Sequence, residues 1–310
     1  MSELVALPEK AFEPGAEGLF DLPASTYHDH VKAPGISRSV IVELLQFTAA
    51  HAQSLITGTH KKTVTPEMDS GTLVDMALLE PDKFKEGVSH WLVPAGMSLA
   101  TKDGIAWKKD HPKVGSPGGL PYLREESDAG NTASLADIKN IIAAAMAHKK
   151  VRWIVENARK QESAFCYDPD TGLMRKVRPD ARLIDRASRL VLADLKTTFR
   201  GGTTEFAWRQ QCARKGLHIQ DSHYSRTYKD LTGEDPFFIF IVAERKPPYA
   251  IRLFQIDPEG KAAAAEKCRF AMEAFRKCQD SGVWPAFDER ITTVSLPRWE
   301  LTPPTSEVDI

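Results

Sequence analysis

Several things this chain of 310 residues lacks narrow its function early. It has only four cysteines, Cys166, Cys212, Cys268 and Cys278, and no C-x-x-C pair, so neither a structural zinc site nor an iron–sulfur cluster is indicated. Scattered thiols in a chain of this length point to a reducing, cytoplasmic setting. No apolar run approaches the roughly 20 residues that span a bilayer, so no membrane partner is expected. The opening, MSELVALPEKAFEPGAEG, has no basic start followed by an apolar stretch, which argues against a secretory signal. There is no G-x-x-x-x-G-K-[ST], so nothing indicates an ATP-driven motor, and no internal repeat. Net charge is also nearly absent, at -1. That value averages two unlike regions. Residues 149–215 carry sixteen Lys and Arg against eight Asp and Glu, a local positive excess of the kind that meets phosphates. The same charges could equally be spread over several solvated faces.

Residues 1–34, rich in Pro, Gly and acids, read as an irregular lead-in. Ser37 can cap a helix whose positions Ile41, Leu44, Leu45, Thr48 and Leu55 follow helical spacing. A second helix is predicted from Gly71 to Glu80, stopping at Pro81. Residues 85–133 read as a long irregular insertion, and Ser134 opens one long helix through Ala158. The period then changes. ESAFCYD and LMRKVRPD read as strands around the turn Pro169–Gly172, and RLVLADLKT as a third. Helices come next at about 203–215 and 218–231, then the strands PFFIFIVAE and YAIRLFQID around Lys246-Pro247-Pro248, then a helix over about 258–280. The expected fold is α/β, a mixed sheet flanked by helices, in a domain over 35–285 with a loose tail over 286–310.

Chemistry gathers around the third strand. Alternation places Leu190, Leu192, Asp194 and Lys196 on one face and Val191, Ala193 and Leu195 on the other. An acid and a base at a strand end can be a plain salt bridge. Asp180, fourteen residues before Asp194, fits a neighbouring strand across a tight turn, although an aspartate there could also cap that turn. If the strands pair, the two carboxylates repel unless a cation joins them, and an all-oxygen set suits Mg²⁺ or Mn²⁺. Such an ion is what phosphodiester hydrolysis requires. Asp75 is a single carboxylate on an otherwise apolar helix, which calls for either an arginine partner or a metal. Gln220 and Tyr224, four apart, share one helix face.

The ordered set G-T-x-x-x-x-x-L-L-E-P (Gly71–Pro81), R-P-D (Arg178–Asp180), D-L-K-T-T (Asp194–Thr198) and H-x-Q-x-x-x-Y (His218–Tyr224) resembles the RecB-like branch of the PD-(D/E)xK nucleases. Within that branch it resembles the RecE-type exodeoxyribonucleases. Tyr27-His28, the stretch from Pro34 to Ser39, and Gly282-Val283-Trp284-Pro285 extend the likeness over residues 20 to 287. The resemblance implies a restriction-endonuclease-like core. It assigns Asp180 and Asp194 as metal ligands with the Leu195 carbonyl, two Mg²⁺ or Mn²⁺ ions per site, and Lys196 as the catalytic lysine. Gln220 and Tyr224 would brace the site or touch DNA. Ser37, Arg38, Ser39 and Arg178 would contact DNA, and Glu162 would support a second ion. It further implies ATP-independent 5′ to 3′ digestion of double-stranded DNA ends, a homo-oligomeric ring, a single-strand-annealing partner, and phage or prophage origin. One departure stands out: the family usually has His where this chain has Asp75. That leaves metal preference open and keeps alive a degenerate DNA-binding assembly protein. A second enzyme reading is an endonuclease or a nuclease like those of CRISPR adaptation, the missing cysteine set arguing against the iron–sulfur version of the latter.

Overall fold

The computed structural model describes residues 11–60, 66–111, 122–126, 134–298 and 300–301. In chain order its elements are β1 (Gly18–Phe20), α1 (Ala24–His28), α2 (Arg38–Gln46), α3 (Ala49–Ile56), α4 (Pro66–Leu79), α5 (Pro81–Trp91), α6 (Lys102–Asp110), α7 (Leu135–Ala147) and α8 (Lys149–Asn157). The second half holds β2 (Arg159–Lys160), β3 (Ser163–Tyr167), β4 (Met174–Val177), β5 (Ala181–Ile184), β6 (Leu190–Thr198), α9 (Glu205–Lys215), α10 (Leu217–Thr232), β7 (Phe237–Glu244), β8 (Ile251–Phe254) and α11 (Pro258–Ser281).

Five strands form a mixed sheet in the order β2-β5-β6-β7-β8, and β1-β3-β4 form a smaller one. β6 and β7 are parallel, joined through α9 and α10, and the other ladders are antiparallel. The alternation read in β6 holds. Val191, Ala193 and Leu195 pack with Leu73 and Val74 of α4, Ile138 and Ile141 of α7 and Val151 and Ile154 of α8. Leu190 and Leu192 pack on the opposite face with Trp208, Leu217, Tyr224 and Tyr228. Helices therefore cover both faces of β6, and its polar end is the part left for chemistry.

The sequence expectations need correction in six places. The helix read from Ser37 through Leu55 breaks at Phe47 and Thr48 into α2 and α3. The supposed lead-in supplies β1, which pairs with β3, and α1. Phe12 packs its ring 4.9 Å from Phe165, and Lys176 Nζ donates to the carbonyls of Tyr27 (3.0 Å) and Ala33 (2.7 Å). The helix carrying Asp75 begins earlier, at Pro66, and Pro81 opens the next helix, as a proline can at a first turn. The stretch read as irregular over 85–133 contains the end of α5 and all of α6; its residues 112–121 and 127–133, like residues 1–10 and 302–310 at the ends, lie outside the described residues. The long helix from Ser134 is two helices. His148 turns extended at ψ 107° and its ring accepts from the Val151 N–H, capping the second. Finally, the strand read over Leu173–Asp180 as the neighbour of RLVLADLKT ends at Val177 in the smaller sheet, and the strand that pairs with β6 is β5, beyond Asp180. Pro179 has no N–H for a ladder, so the chain leaves one sheet at Val177 and enters the other at Ala181. Among the described residues, no helix is long and apolar enough to cross a membrane. Residues 286–298 run as exposed chain without regular structure.

Candidate active site

The β5–β6 register ends at Ala181 opposite Ala193, so the next position places Asp180 opposite Asp194. The tight turn the spacing called for is there: Asp185 Oδ1 accepts from the N–H groups of Ala187 (2.8 Å) and Arg189 (2.9 Å). Asp180 Oδ2 accepts from the Leu195 N–H at 2.6 Å. A strand residue directs its N–H and C=O to the same side, so the Leu195 carbonyl also faces Asp180, beyond the last ladder pair. Asp194 is buried. One of its oxygens accepts from Gln220 Nε2 at 2.5 Å, and the other is ion-paired with Lys196 Nζ. The helical spacing that put Gln220 on one face with Tyr224 thus delivers an amide directly to the polar end of β6. Tyr224 is buried beside it; burial, reinforced by the Tyr27, Asp194 and Asp180 groups, raises its hydroxyl well above the ordinary range and keeps it protonated.

Asp75 reaches this point from α4. Gly71, one turn earlier, lies so near β6 that a Cβ there would stand 3.3 Å from the Thr197 hydroxyl, a tight contact that a larger residue would have to push aside. The charges around Asp75 are not those of an arginine partner. Burial pushes its carboxyl well up, the Asp180 charge adds to this, Lys196 opposes it, and Asp194 adds further. Asp180 is raised as well, by burial and then by Asp194, against Lys196, the Leu195 N–H and Arg178. Burial works against the Lys196 ammonium, but Asp194 and Asp180 outweigh it and hold it charged. Three carboxylates crowded around one ammonium form a site whose repulsion a divalent cation would relieve. Among the described residues, no three Asp, Glu, His or Cys side chains close into a finished cage. That pattern still suits Mg²⁺, which keeps several waters and takes one or two carboxylates together with substrate phosphate oxygens. Asp180, Asp194, Asp75 and the Leu195 carbonyl fit such an ion by donor type.

Other expected residues fall elsewhere. Arg178 donates to the Leu22 carbonyl (2.5 Å), Ser163 Oγ (3.0 Å) and Gln161 Oε1 (3.2 Å), pinning the N-terminal segment to the strands instead of presenting an open cation. Glu162 does not join the centre: it is buried and receives two hydrogen bonds from Arg182, at 2.6 and 3.3 Å. Ser37 stands at the N-cap position of α2 without a side-chain cap bond, and Ser39 lies in the first turn, half-buried. Arg38 reaches across to the Lys215 carbonyl at the end of α9, within the electrostatic reach of Asp194 and Tyr224. The basic middle of the chain divides. Arg175 and Lys176 are buried, Arg175 being paired with Asp230 (2.5 Å) and Asp168 (3.6 Å), while Lys149, Lys150 and Arg152 are exposed on α8, on the far face of the sheet. Of the cations that gather near the centre, Arg38 and Lys196 are expected from sequence, whereas Arg214 and Lys215 are counted in the basic stretch without being singled out. Lys215 is pushed below its ordinary range by burial and then by Arg245, Lys196, Arg214 and Arg38. Arg214 and Lys215 in sequence look like ordinary basic residues ending a helix before Gly216.

No curated protein matches the chain. The crystal structure of a protein from Eubacterium rectale described as a "Putative exonuclease" shares the fold, with a TM-score of 0.59 at 15% identity over 91% of this chain and 98% of that one. A family profile described as a PDDEXK-like domain of unknown function (DUF3799) matches residues 37–296, a stretch that includes Asp75, Asp180, Asp194, Lys196, Gln220 and Tyr224. With that match spanning the sheet and the whole candidate centre, the chain belongs to this PDDEXK-like family.

Proposed function

We propose that this protein is a divalent-metal-dependent deoxyribonuclease that hydrolyses phosphodiester bonds from the ends of duplex DNA without ATP. The observation that carries the reading is the meeting of Asp180 and Asp194 on paired strands, with Lys196 ion-paired to Asp194 and Gln220 bonded to it. Bound Mg²⁺ or Mn²⁺ would supply Lewis-acid charge at the scissile phosphate and a water of lowered pKa. Asp180, Asp194, Asp75 and the Leu195 carbonyl would hold it. Lys196, kept as an ammonium by its acids, donates to a phosphate oxygen or orients the attacking water. Gln220 fixes the rotamer of Asp194, and Tyr224 stays a neutral donor. Arg38, with Ser37 and Ser39 at the start of α2, lines the approach to the phosphates. The RecE-type resemblance adds 5′ to 3′ polarity, two ions per site, a ring-shaped homo-oligomer and a single-strand-annealing partner, all of which rest on that resemblance.

The test compares linear with covalently closed duplex DNA in Mg²⁺ and no ATP. Linear DNA should be degraded and closed circles should survive. Asp194→Asn and Lys196→Ala should each lower the rate at least roughly a hundredfold, the scale of one positioned catalytic group, with thermal unfolding still cooperative. Equal loss of both substrates would favour an endonuclease, and full activity in Lys196→Ala would remove the proposed centre.

A further inference from the structure

Beyond Thr198 the catalytic strand runs into residues 199–204 and then α9, and this connection is firmly built. The N–H of Gly201 (2.9 Å), the N–H of Thr203 (3.4 Å) and the hydroxyl of Thr203 (2.6 Å) all donate to one oxygen of the buried Glu244. Gln211 accepts from the Thr198 hydroxyl at 2.9 Å and donates to the Gly202 carbonyl at 3.3 Å. Gly201 has φ +82°, and a Cβ at Gly202 would lie 2.1 Å from Thr198 Oγ1, so the path needs both glycines. Yet the aromatic rings on this fixed backbone stay out of the core: Phe199 is 49% and Phe206 67% exposed. Their setting is cationic. Arg200 and Arg209 are exposed, the Arg209 guanidinium stands 6.0 Å from the centre of the Phe206 ring, and Arg245 donates from its backbone N–H to the Thr198 carbonyl at 2.9 Å. The opposite end of α9 carries a second group of cations, where Lys215 lies among Arg245, Lys196, Arg214 and Arg38.

Exposed ring faces interleaved with cations suit a chain of phosphates and planar bases. The core of a protein-docking patch is, by contrast, depleted in charge. An intact duplex hides its base faces, so the matching ligand has unpaired nucleotides. We propose that Phe199 and Phe206, flanked by Arg200 and Arg209, form a stacking platform for the unpaired end of a DNA strand beside the catalytic centre. This rests on the deoxyribonuclease reading of the same centre.

The test is binding, read by fluorescence anisotropy in EDTA so that no cleavage intervenes. The probes are a blunt duplex and the same duplex with a short oligothymidine overhang. The double substitution Phe199→Ala/Phe206→Ala should weaken overhang binding at least roughly fivefold, the low end for losing one stacked base, and leave blunt-duplex binding as in the wild type. Leucine at both positions should behave like alanine, and tryptophan at both should retain affinity. Thermal unfolding should match the wild type throughout, since both rings are exposed. Wild-type overhang affinity in the alanine or leucine protein would overturn the platform and leave the rings to a protein partner, while cleavage by the wild type would keep the nuclease reading intact. Failure of the wild type to bind or cleave any DNA would overturn both.

Discussion

At Asp75, burial and two carboxylates oppose ionisation with only Lys196 against them, and this has a consequence for stability. A carboxyl raised above its ordinary 3.8 in the folded protein holds a proton that the unfolded chain has already released. Stability is therefore lost as pH rises from about that value through the folded pKa. At neutral pH without metal, Asp75→Asn should unfold at a higher temperature than the wild type, because the amide escapes the stability lost by a buried carboxyl above its ordinary pKa. Added Mg²⁺ should then stabilise the wild type more than the variant, by mass action on a complete site, and the variant should cleave DNA more slowly. Calorimetry in EDTA and in Mg²⁺, with a cleavage assay on the same protein, reads all three; a variant that melts lower in EDTA and cleaves normally would end the ligand role. The residues of this centre were legible because strand alternation and the fourteen-residue separation fix where Asp180, Asp194 and Lys196 can go. Arg178 and Glu162 were not, because their partners are decided across strands: the Leu22 carbonyl lies 156 residues away, and Arg182 sits on the other sheet from the β3 edge beside Glu162.

At the scale of an element, β4 does two jobs that its sequence conceals. It pairs with β3, and its Lys176 holds the N-terminal segment by the carbonyls of Tyr27 and Ala33. Burial pushes Lys176 from 10.5 down to about 8, against a smaller effect of Asp29. Between those values the unfolded chain binds more protons than the folded one, so stability rises with pH across this window and falls as pH drops through it. Lys176→Met removes the titration along with two hydrogen bonds. The wild type should exceed the variant in stability, and the gap should widen from about pH 8 to pH 10 by up to about 1.4 kcal/mol per pH unit, measured by urea unfolding. A gap independent of pH would mean that the ammonium is not desolvated. β6 and β7 stood out as apolar runs because they are buried on both faces, and α11 because it buries one apolar stripe. Periodicity failed for β1 and β4–β5: three residues are too short to show a period, and the change of sheet at Pro179 looks like one continuing strand.

Across the whole molecule, a net charge of -1 leaves DNA affinity to the placement of cations. Sequence alone placed the phosphate-binding charge throughout residues 149–215, but folding divides that segment. Arg175 and Lys176 go inside, the α8 cations go to the far face of the sheet, and Arg214 and Lys215 remain exposed near Lys196 and Arg38. Counterion release makes log affinity fall with log salt by about 0.9 for each phosphate neutralised. Arg214→Glu/Lys215→Glu should therefore weaken duplex binding and flatten that salt slope by roughly one to two units. The backbone carbonyls of these two residues, which receive Gln46 and Arg38, are untouched by the change. Lys149→Glu/Lys150→Glu carries the same change in charge on the other face. It should leave the slope near the wild-type value, because a long-range effect of net charge is screened within about 10 Å at 0.1 M salt. Titrating fluorescent duplex DNA at several salt concentrations measures both slopes. Equal flattening by the two pairs would mean that DNA spans both faces of the sheet, and that the binding surface does not track the end of β6.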